Sequence, residues 1–166
     1  GNQAILNKMH KGIKLEWSKQ YVKNAKKAGL IIHGCFMVGN PGDTKETMEE
    51  TFQLSLKLNP DTAQFFPLMV YPGTEAYKWA QTRGYLTTND FSKWVTEDGL
   101  HSCIISTPEI SAEELVAFCD EARRRYYLRP AYIFSKLRQF IFYPAERKRL
   151  LKAGVRFIKF ISKKGK

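Results

Sequence analysis

The chain has 166 residues with an ordinary hydrophobic content, and none of its apolar runs is long enough to span a bilayer. The first residues do not have the shape of a signal peptide, and the three cysteines lie far apart, so we expect a cytoplasmic protein with reduced thiols. The net charge of +11 comes from the C-terminal quarter, because residues 123–166 carry 15 Lys and Arg side chains against the single acid Glu146.

Two helices are predicted first. Residues 1–13 form the first helix, which ends at Gly12, and the second runs from about Leu15 to a glycine C-cap at Gly29. The residues expected on their inner sides are Ile5, Leu6, Met9, Trp17, Tyr21, Val22, Ala25 and Ala28.

A strand, a tight turn and a helix follow. Leu30–Val38 is an apolar run of strand length, and in Gly39–Gly42 the Pro-Gly pair predicts a type II turn. Asp43 is expected to cap the next helix together with Glu46, and that helix extends to about Leu58. Its expected apolar stripe consists of Met48, Phe52, Leu54, Leu56 and Leu58.

A second unit repeats this plan. Thr62–Val70 is the second strand, and Pro67 favours the edge of a sheet because proline cannot donate to a ladder. A second Pro-Gly turn in Tyr71–Glu75 opens a helix over Ala76–Arg83. The repeat length is about that of one unit of a β/α barrel, in which ligands bind at the carboxyl ends of the strands.

The rest of the chain is mostly helical. Residues 86–110 read as irregular, with Phe91 and Trp94 as anchors and a short strand over Cys103–Ile105. Ser111 and Glu114 form a capping box, which opens a helix that ends before Pro130. The apolar positions of this helix are Leu115, Phe118, Cys119, Ala122 and Tyr126. Two further helices are predicted after it, Ala131–Phe142 and Ala145–Ile161.

Four blocks occur in an order that is typical of one superfamily. They are GNQAILNKMHKGI, KKAGLIIHGCFMVGNPGDTKETMEET, LNPDTAQFFPLMVYPGTEAY and RRRYYLRPAYI, which together cover most of residues 1–142. The chain thereby resembles the C-terminal part of a radical S-adenosylmethionine (SAM) enzyme, from the branch that usually carries an N-terminal cobalamin-binding domain.

The resemblance implies an α/β fold, namely the last two strand–helix units of a partial (β/α)6 TIM-like barrel followed by a helical C-terminal extension. Residues 1–85 would belong to the barrel and residues 86–166 to the extension with its basic amphipathic last helix. Leu30–Val38 would be the fifth strand and Thr62–Val70 the sixth, which is an edge strand, as Pro67 also indicates.

The activity that the resemblance implies is cleavage of SAM by a [4Fe–4S] cluster to a 5′-deoxyadenosyl radical, followed by methyl transfer or rearrangement if cobalamin is present. The CxxxCxxC motif that holds such a cluster is absent, and Cys35, Cys103 and Cys119 are too widely spaced to replace it. We therefore expect a piece of a larger polypeptide that is inactive alone. Its partners would be the N-terminal half of the barrel, with the cluster ligands, and a cobalamin domain.

The resemblance also implies a set of cofactor-binding residues along the adenosyl part of SAM. In the fifth strand these are Gly34, Phe36, Val38 and Gly39, and in the sixth they are Leu68, Met69 and Tyr71. The alternative is that all seven are ordinary core and turn residues, since apolar runs usually form the core. No residue is assigned a catalytic role.

Two further polar features have competing interpretations. The Asn40–Thr44 loop opens a helix and either binds an anion through free N–H groups or is only a structural turn. His33 and Cys35 share one strand face, but two ligands are too few for a zinc site, so no metal site is predicted.

Two segments of the basic C-terminal quarter have two interpretations each. Arg123–Arg129 mixes cations with aromatic side chains as nucleic-acid surfaces do, although cations are also favoured at a helix C-terminus. Residues 145–164 form a basic amphipathic helix that either contacts an anionic membrane surface or packs its apolar stripe on another domain. Its basic residues are Arg147, Lys148, Arg149, Lys152, Arg156, Lys159, Lys163 and Lys164.

Overall fold

A computed structural model describes residues 1–94 and 102–163, apart from the side chain of Lys163. Lys164, which was counted with the basic helix, lies outside the described residues. The structure is mixed α/β and mostly helical, and it divides into two compact units, residues 1–123 and 124–166. Its helices and strands are α1 Gln3–Lys8, α2 Leu15–Lys27, β1 His33–Val38, α3 Lys45–Leu58, β2 Thr62–Pro67, α4 Glu75–Thr82, α5 Ala112–Tyr127, α6 Pro130–Phe142 and α7 Arg147–Lys163.

The two strands form a parallel sheet. His33 pairs with Thr62 at one end and Val38 with Pro67 at the other. The α/β class and the two consecutive strand–helix units are therefore confirmed. Within the described residues the sheet has these two strands alone, so the barrel itself stays a proposal.

One face of the sheet is buried against α3. The ring of Phe36 stacks on Phe65 at 5.3 Å between centroids, and Phe52 of α3 lies 5.9 Å from Phe65. Since side chains alternate along a strand, Val38 joins this face, and it is completely buried. The opposite face is more open, and three of its side chains are exposed: His33, Cys35 and Gln64.

A second apolar cluster forms beyond the end of β2. Leu68 and Val70 pack there with Trp94, Ile104 and Ile105. The predicted strand at Cys103–Ile105 is reduced to one antiparallel bridge between Ile105 and Leu86. Residues after 85 thus pack with the strand–helix units, and the compact units of the structure meet at residue 123. The predicted domain boundary at residue 85 stays a prediction.

Helix α2 buries only part of the side that was predicted to face inward. Trp17 and Tyr21 are 56% and 68% exposed, whereas Ala25 is buried and Val22 half-buried. The helix packs on α3. The prediction for Trp17 and Tyr21 was wrong because an amphipathic pattern shows which residues share a side of the helix, but not how much of that side meets a neighbour.

Helix α5 agrees with its sequence signals. The backbone N of Ser111 donates to Glu114 Oε2 at 2.8 Å, and the backbone N of Glu114 donates to Ser111 Oγ at 3.2 Å, so the capping box is confirmed. Leu115, Cys119 and Ala122 are buried as predicted.

Helix α7 begins two residues later than predicted, because Pro144–Glu146 forms a 3-10 turn before it. None of the described helices has the length and apolar content needed to cross a membrane.

Candidate functional site at the carboxyl end of the first strand

The turn after β1 has the predicted type II pattern. The backbone N of Asp43 donates to the carbonyl O of Asn40 at 2.8 Å, with Pro41 and Gly42 in the two central positions. Gly42 has φ +84°, which a type II turn requires at its third residue and which glycine adopts without strain. The chain therefore turns sharply at the edge of the sheet where parallel strands present their carboxyl ends.

The Asp43 carboxylate organises this turn from within. Its Oδ2 accepts hydrogen bonds from the backbone N of Asn40 at 2.8 Å and from Asn40 Nδ2 at 3.1 Å. Its Oδ1 accepts one from Thr47 Oγ1 at 2.7 Å. Asp43 is buried, so these bonds offset the cost of removing the carboxylate from water.

The helix cap lies one residue later than predicted. Thr44 is the N-cap of α3, and its Oγ1 accepts from the backbone N of Thr47 at 3.3 Å. Thr47 Oγ1 in turn accepts from the backbone N of Thr44 at 2.8 Å. Asp43 does not cap the helix because its carboxylate is occupied within the turn. Glu46 has a lowered pKa because its carboxylate hydrogen-bonds to the Thr44 side chain.

These contacts favour the structural interpretation of the Asn40–Thr44 loop over an anion site. Thr44 and Thr47 supply the acceptors for each other's backbone N–H groups. A bound anion would also lie beside the Asp43 carboxylate, and like charges repel. The polar groups of the loop are thus largely consumed by the fold.

A cavity of about 270 Å³ opens beside this turn. Trp79 and Tyr85 form an aromatic wall, with their rings in edge-to-face contact at 5.3 Å. Arg83 and Glu109 bring charges of opposite sign to the rim. The remaining lining residues are Gly39, Asn40, Gly42, Asp43, Thr44, Thr107, Ile110 and Leu115. We call this space the turn cavity; its volume is at the low end of small-molecule pockets, so it suits a part of a nucleoside-sized ligand.

Asn40 is the polar residue of the turn cavity whose bonding is incomplete. Its side chain is buried, and Oδ1 has no hydrogen-bond partner, while Nδ2 donates to Asp43. A buried polar atom without a partner costs free energy, and such atoms recur where a ligand or an ion completes the bonding. An amide acceptor suits a ligand N–H or O–H group.

The structure distributes the predicted fifth-strand residues over two places. The side chains of Phe36 and Val38 lie in the core between the sheet and α3, and Gly34 lies against Phe36 and Pro60. Gly39 is the member of this group that lines the turn cavity.

The predicted sixth-strand residues lie in the second apolar cluster. Leu68 is buried there and Met69 is half-buried against it. Tyr71 is about half exposed, with its ring 6.4 Å from that of Trp94. Contact of the seven residues with a cofactor stays a prediction.

The three cysteines do not match the requirements of a cluster. Cys35 is exposed, whereas Cys103 and Cys119 are buried. Burial raises the pKa of both buried thiols, that of Cys119 to about 12, so they are protonated at neutral pH, whereas a cluster needs thiolates. Among residues 1–94 and 102–163 no group of three or more His, Cys, Asp and Glu side chains is placed to hold a metal ion.

The aromatic wall of the turn cavity was not predicted. Trp79 and Arg83 are four residues apart and so share one side of α4, a signal that the sequence contains. They line the cavity together with Leu115 of α5, which lies far from them in the chain. No local sequence pattern indicates that these residues meet.

Comparison with known proteins gives relatives at low identity. The chain is 32% identical over 133 residues to an uncharacterized methyltransferase of Pyrococcus horikoshii, a match that covers 80% of this chain and 28% of that protein. It is 30% identical over 88 residues to a probable threonylcarbamoyladenosine tRNA methylthiotransferase of Pyrococcus abyssi, covering 52% of this chain and 21% of that protein.

A third relative is an anaerobic magnesium-protoporphyrin IX monomethyl ester cyclase of Cereibacter sphaeroides, 24% identical over 129 residues. That match covers 78% of this chain and 20% of the cyclase. These relatives support the radical SAM superfamily. The chain spans between a fifth and somewhat over a quarter of their lengths. No protein-family model matches the chain, and no solved structure matches it.

Proposed function

We propose that these residues form the carboxyl-terminal end of the SAM-binding barrel of a radical SAM methyltransferase or methylthiotransferase. The observation that carries the proposal is the parallel pairing of β1 with β2, which sets two consecutive Pro-Gly turns at the carboxyl ends of adjacent strands. Ligands of parallel β/α folds bind at that edge. The names of the relatives supply the reaction class.

In this proposal the turn cavity holds part of the adenosyl group of SAM. Asn40 Oδ1 would accept a hydrogen bond from the ligand, and the aromatic wall of Trp79 and Tyr85 would stack on a flat ring. Bound SAM supplies the activated methyl and adenosyl groups, while these residues orient it and exclude water.

The iron–sulfur cluster belongs elsewhere in the proposed enzyme, because the three cysteines here do not fit its ligation. If the enzyme uses cobalamin, the cobalamin-binding domain would also lie elsewhere in it. The proposed partners of the described residues are therefore the other strands of the barrel, which would pair with the free edge of β1. Alone, the 166 residues would bind SAM weakly and would not turn it over. The proposed location is the cytoplasm.

Photo-crosslinking tests this function directly. Radiolabelled SAM is irradiated with the 166-residue chain, with and without excess S-adenosylhomocysteine, and the labelled peptides are mapped. We expect competable label within residues 34–47 and 79–85, and a loss of label in Asn40→Leu but not in the exposed control Asn24→Leu. Label that S-adenosylhomocysteine does not displace, or that maps elsewhere, contradicts the proposal.

A further inference from the structure

The second unit, residues 124–166, turns an apolar surface to the solvent. On α6 the exposed side chains include Phe134, Leu137 and Ile141, and on α7 they include Leu151, Val155 and Ile158. We call these six side chains the apolar face. Exposed apolar side chains that are grouped on two helices in contact mark an interaction site more often than scattered ones do.

Helix α6 exposes its large aliphatic side chains, while polar and aromatic side chains share its half-buried side. That half-buried side carries Tyr132, Lys136, Gln139 and Phe140. There Lys136 Nζ donates to Gln139 Oε1 at 3.1 Å and lies 5.2 Å from the centre of the Tyr132 ring. The polar groups are thus satisfied inside the unit, while the aliphatic side points outward. A packed helix places its apolar stripe towards its neighbours, so this arrangement indicates a second apolar environment outside the chain.

Helix α7 borders its exposed apolar stripe with lysines. Leu151, Val155 and Ile158 recur at spacings of four and three residues and so share one side of the helix. At 3.6 residues per turn, the positions next to this stripe around the helix are those of Lys148, Lys152 and Lys159. Lysine side chains so placed keep their charged ends in water while their stems lie along an apolar surface.

We propose that the apolar face docks on the surface of an anionic lipid bilayer. Residues 124–166 carry 14 Lys and Arg side chains and one Glu, a charge complementary to anionic headgroups. Neither helix spans a bilayer, but each has the length and pattern of a helix that lies in the interface with its apolar side inserted. This inference is independent of the proposed enzymatic function.

Lipid explains the face better than nucleic acid does. A nucleic-acid surface offers phosphates to the cations and bases to aromatic rings, but it leaves exposed aliphatic side chains uncovered. Several aromatic residues of this unit also contact one another. Tyr127 lies 5.0 Å from Tyr132 and 5.2 Å from Phe157, and the Arg129 guanidinium lies over the ring of Tyr126 at 4.0 Å.

Vesicle co-sedimentation of the 166-residue chain tests the apolar contribution. The vesicles are phosphatidylcholine alone and phosphatidylcholine mixed with phosphatidylglycerol. We expect binding to the anionic vesicles that weakens with salt. Leu137→Asp with Ile158→Asp should lower that affinity by about tenfold or more, because two inserted side chains become charged. The matched control is Trp17→Asp with Tyr21→Asp on α2, and it should bind as the unaltered chain does. Trp17 and Tyr21 are 56% and 68% exposed, close to the 56% and 64% of Leu137 and Ile158.

A pair of charge reversals tests the electrostatic contribution. Lys152→Glu with Lys159→Glu should weaken binding to anionic vesicles by about 25-fold or more, since each cation near the surface contributes about a fivefold factor. Lys23→Glu with Lys27→Glu makes the same change in net charge on α2 and should have little effect. Equal losses in the two pairs would overturn the proposal, because attraction would then depend on net charge alone.

Insertion is measured separately, in case an aspartate variant unfolds. Ile158→Trp should show added fluorescence quenching by brominated phosphatidylcholine, and the control Tyr21→Trp should show none. Absence of added quenching overturns the proposal. Failure to bind anionic vesicles would also overturn the proposal if the chain bound single-stranded RNA under the same conditions. The same conclusion would follow if the chain self-associated through the apolar face and did not bind the vesicles.

Discussion

Gly39 meets two requirements at once at the carboxyl end of β1. Its φ is +84°, and a Cβ there would lie 2.9 Å from Leu115 Cδ2. The left-handed backbone costs other residues about 1–2 kcal/mol and overpacking about 1–3 kcal/mol. Gly39→Ala should therefore lower the free energy of unfolding by about 2–5 kcal/mol in urea denaturation.

The matched control for Gly39 is Gly73, which has φ +89° and open space around its Cβ position. Gly73→Ala should lower the free energy of unfolding by the backbone contribution alone, about 1–2 kcal/mol. Equal losses at the two glycines would show that Leu115 does not press on the turn.

Because of Cys119, the free energy of unfolding should depend on pH in the alkaline range. Burial raises the pKa of this thiol from 9.0 to about 12. Below pH 9 both the folded and the unfolded chain keep the proton, and its contribution to stability is fully present. Between pH 9 and about 12 the unfolded chain alone releases it, so stability falls, by up to about 1.4 kcal/mol per pH unit.

Urea denaturation at several alkaline pH values checks this dependence on Cys119. The Cys119→Ala variant should lose stability less steeply above pH 9 than the unaltered chain, since lysines and tyrosines titrate in both. Identical slopes would contradict the assignment. The exposed Cys35, replaced by alanine, serves as the control and should leave the slope unchanged.

At the scale of elements, the start of α3 depends on two different side chains. Thr44→Ala removes the N-cap and should cost about 1 kcal/mol. Asp43→Ala removes the acceptor of Asn40 and Thr47 within a buried turn and should cost about 2 kcal/mol or more. Glu46→Ala keeps the N-cap and the Asp43 bonds, removes only the hydrogen bond of an exposed carboxylate to the Thr44 side chain, and is the control. If Glu46→Ala proved as costly as Asp43→Ala, the capping pair predicted from the sequence would be the correct description.

The turn before α3 explains why the sequence predicted Asp43 and not Thr44 as the N-cap. Asp, Thr and Ser are all good N-caps, and Asp43 and Thr44 stand next to each other before the helix. The choice between them depends on the Asp43 carboxylate being used by Asn40, which lies in the turn and not in the helix. Sequence signals for helix starts describe the helix alone.

At the scale of the whole molecule, the place where the chain divides is testable by truncation. The polypeptide 1–129 keeps β1, β2 and the residues of the second apolar cluster, and it should unfold cooperatively in urea. The polypeptide 1–85, which ends at the boundary predicted from the sequence, lacks Trp94, Ile104, Ile105 and Leu115 and should not. A cooperative transition in 1–85 would support the boundary predicted from the sequence.

The sequence alone was sufficient for features that depend on residues close together in the chain. The type II turn at Pro41-Gly42, the capping box of Ser111 and Glu114, and the buried face of α5 are of this kind, because each is decided by a few neighbouring side chains. The parallel pairing of two strand–helix units also followed from their repeated order.

Contacts between distant residues decided the rest. Only packing shows that α2 leaves Trp17 and Tyr21 exposed, that Trp79 and Tyr85 wall a cavity beside Asn40, and that α6 turns its aliphatic side outward. A hydrophobic pattern states which residues of a helix share a side, but the free energy of burial is realised only where a partner surface exists, and that surface is assembled from other parts of the chain.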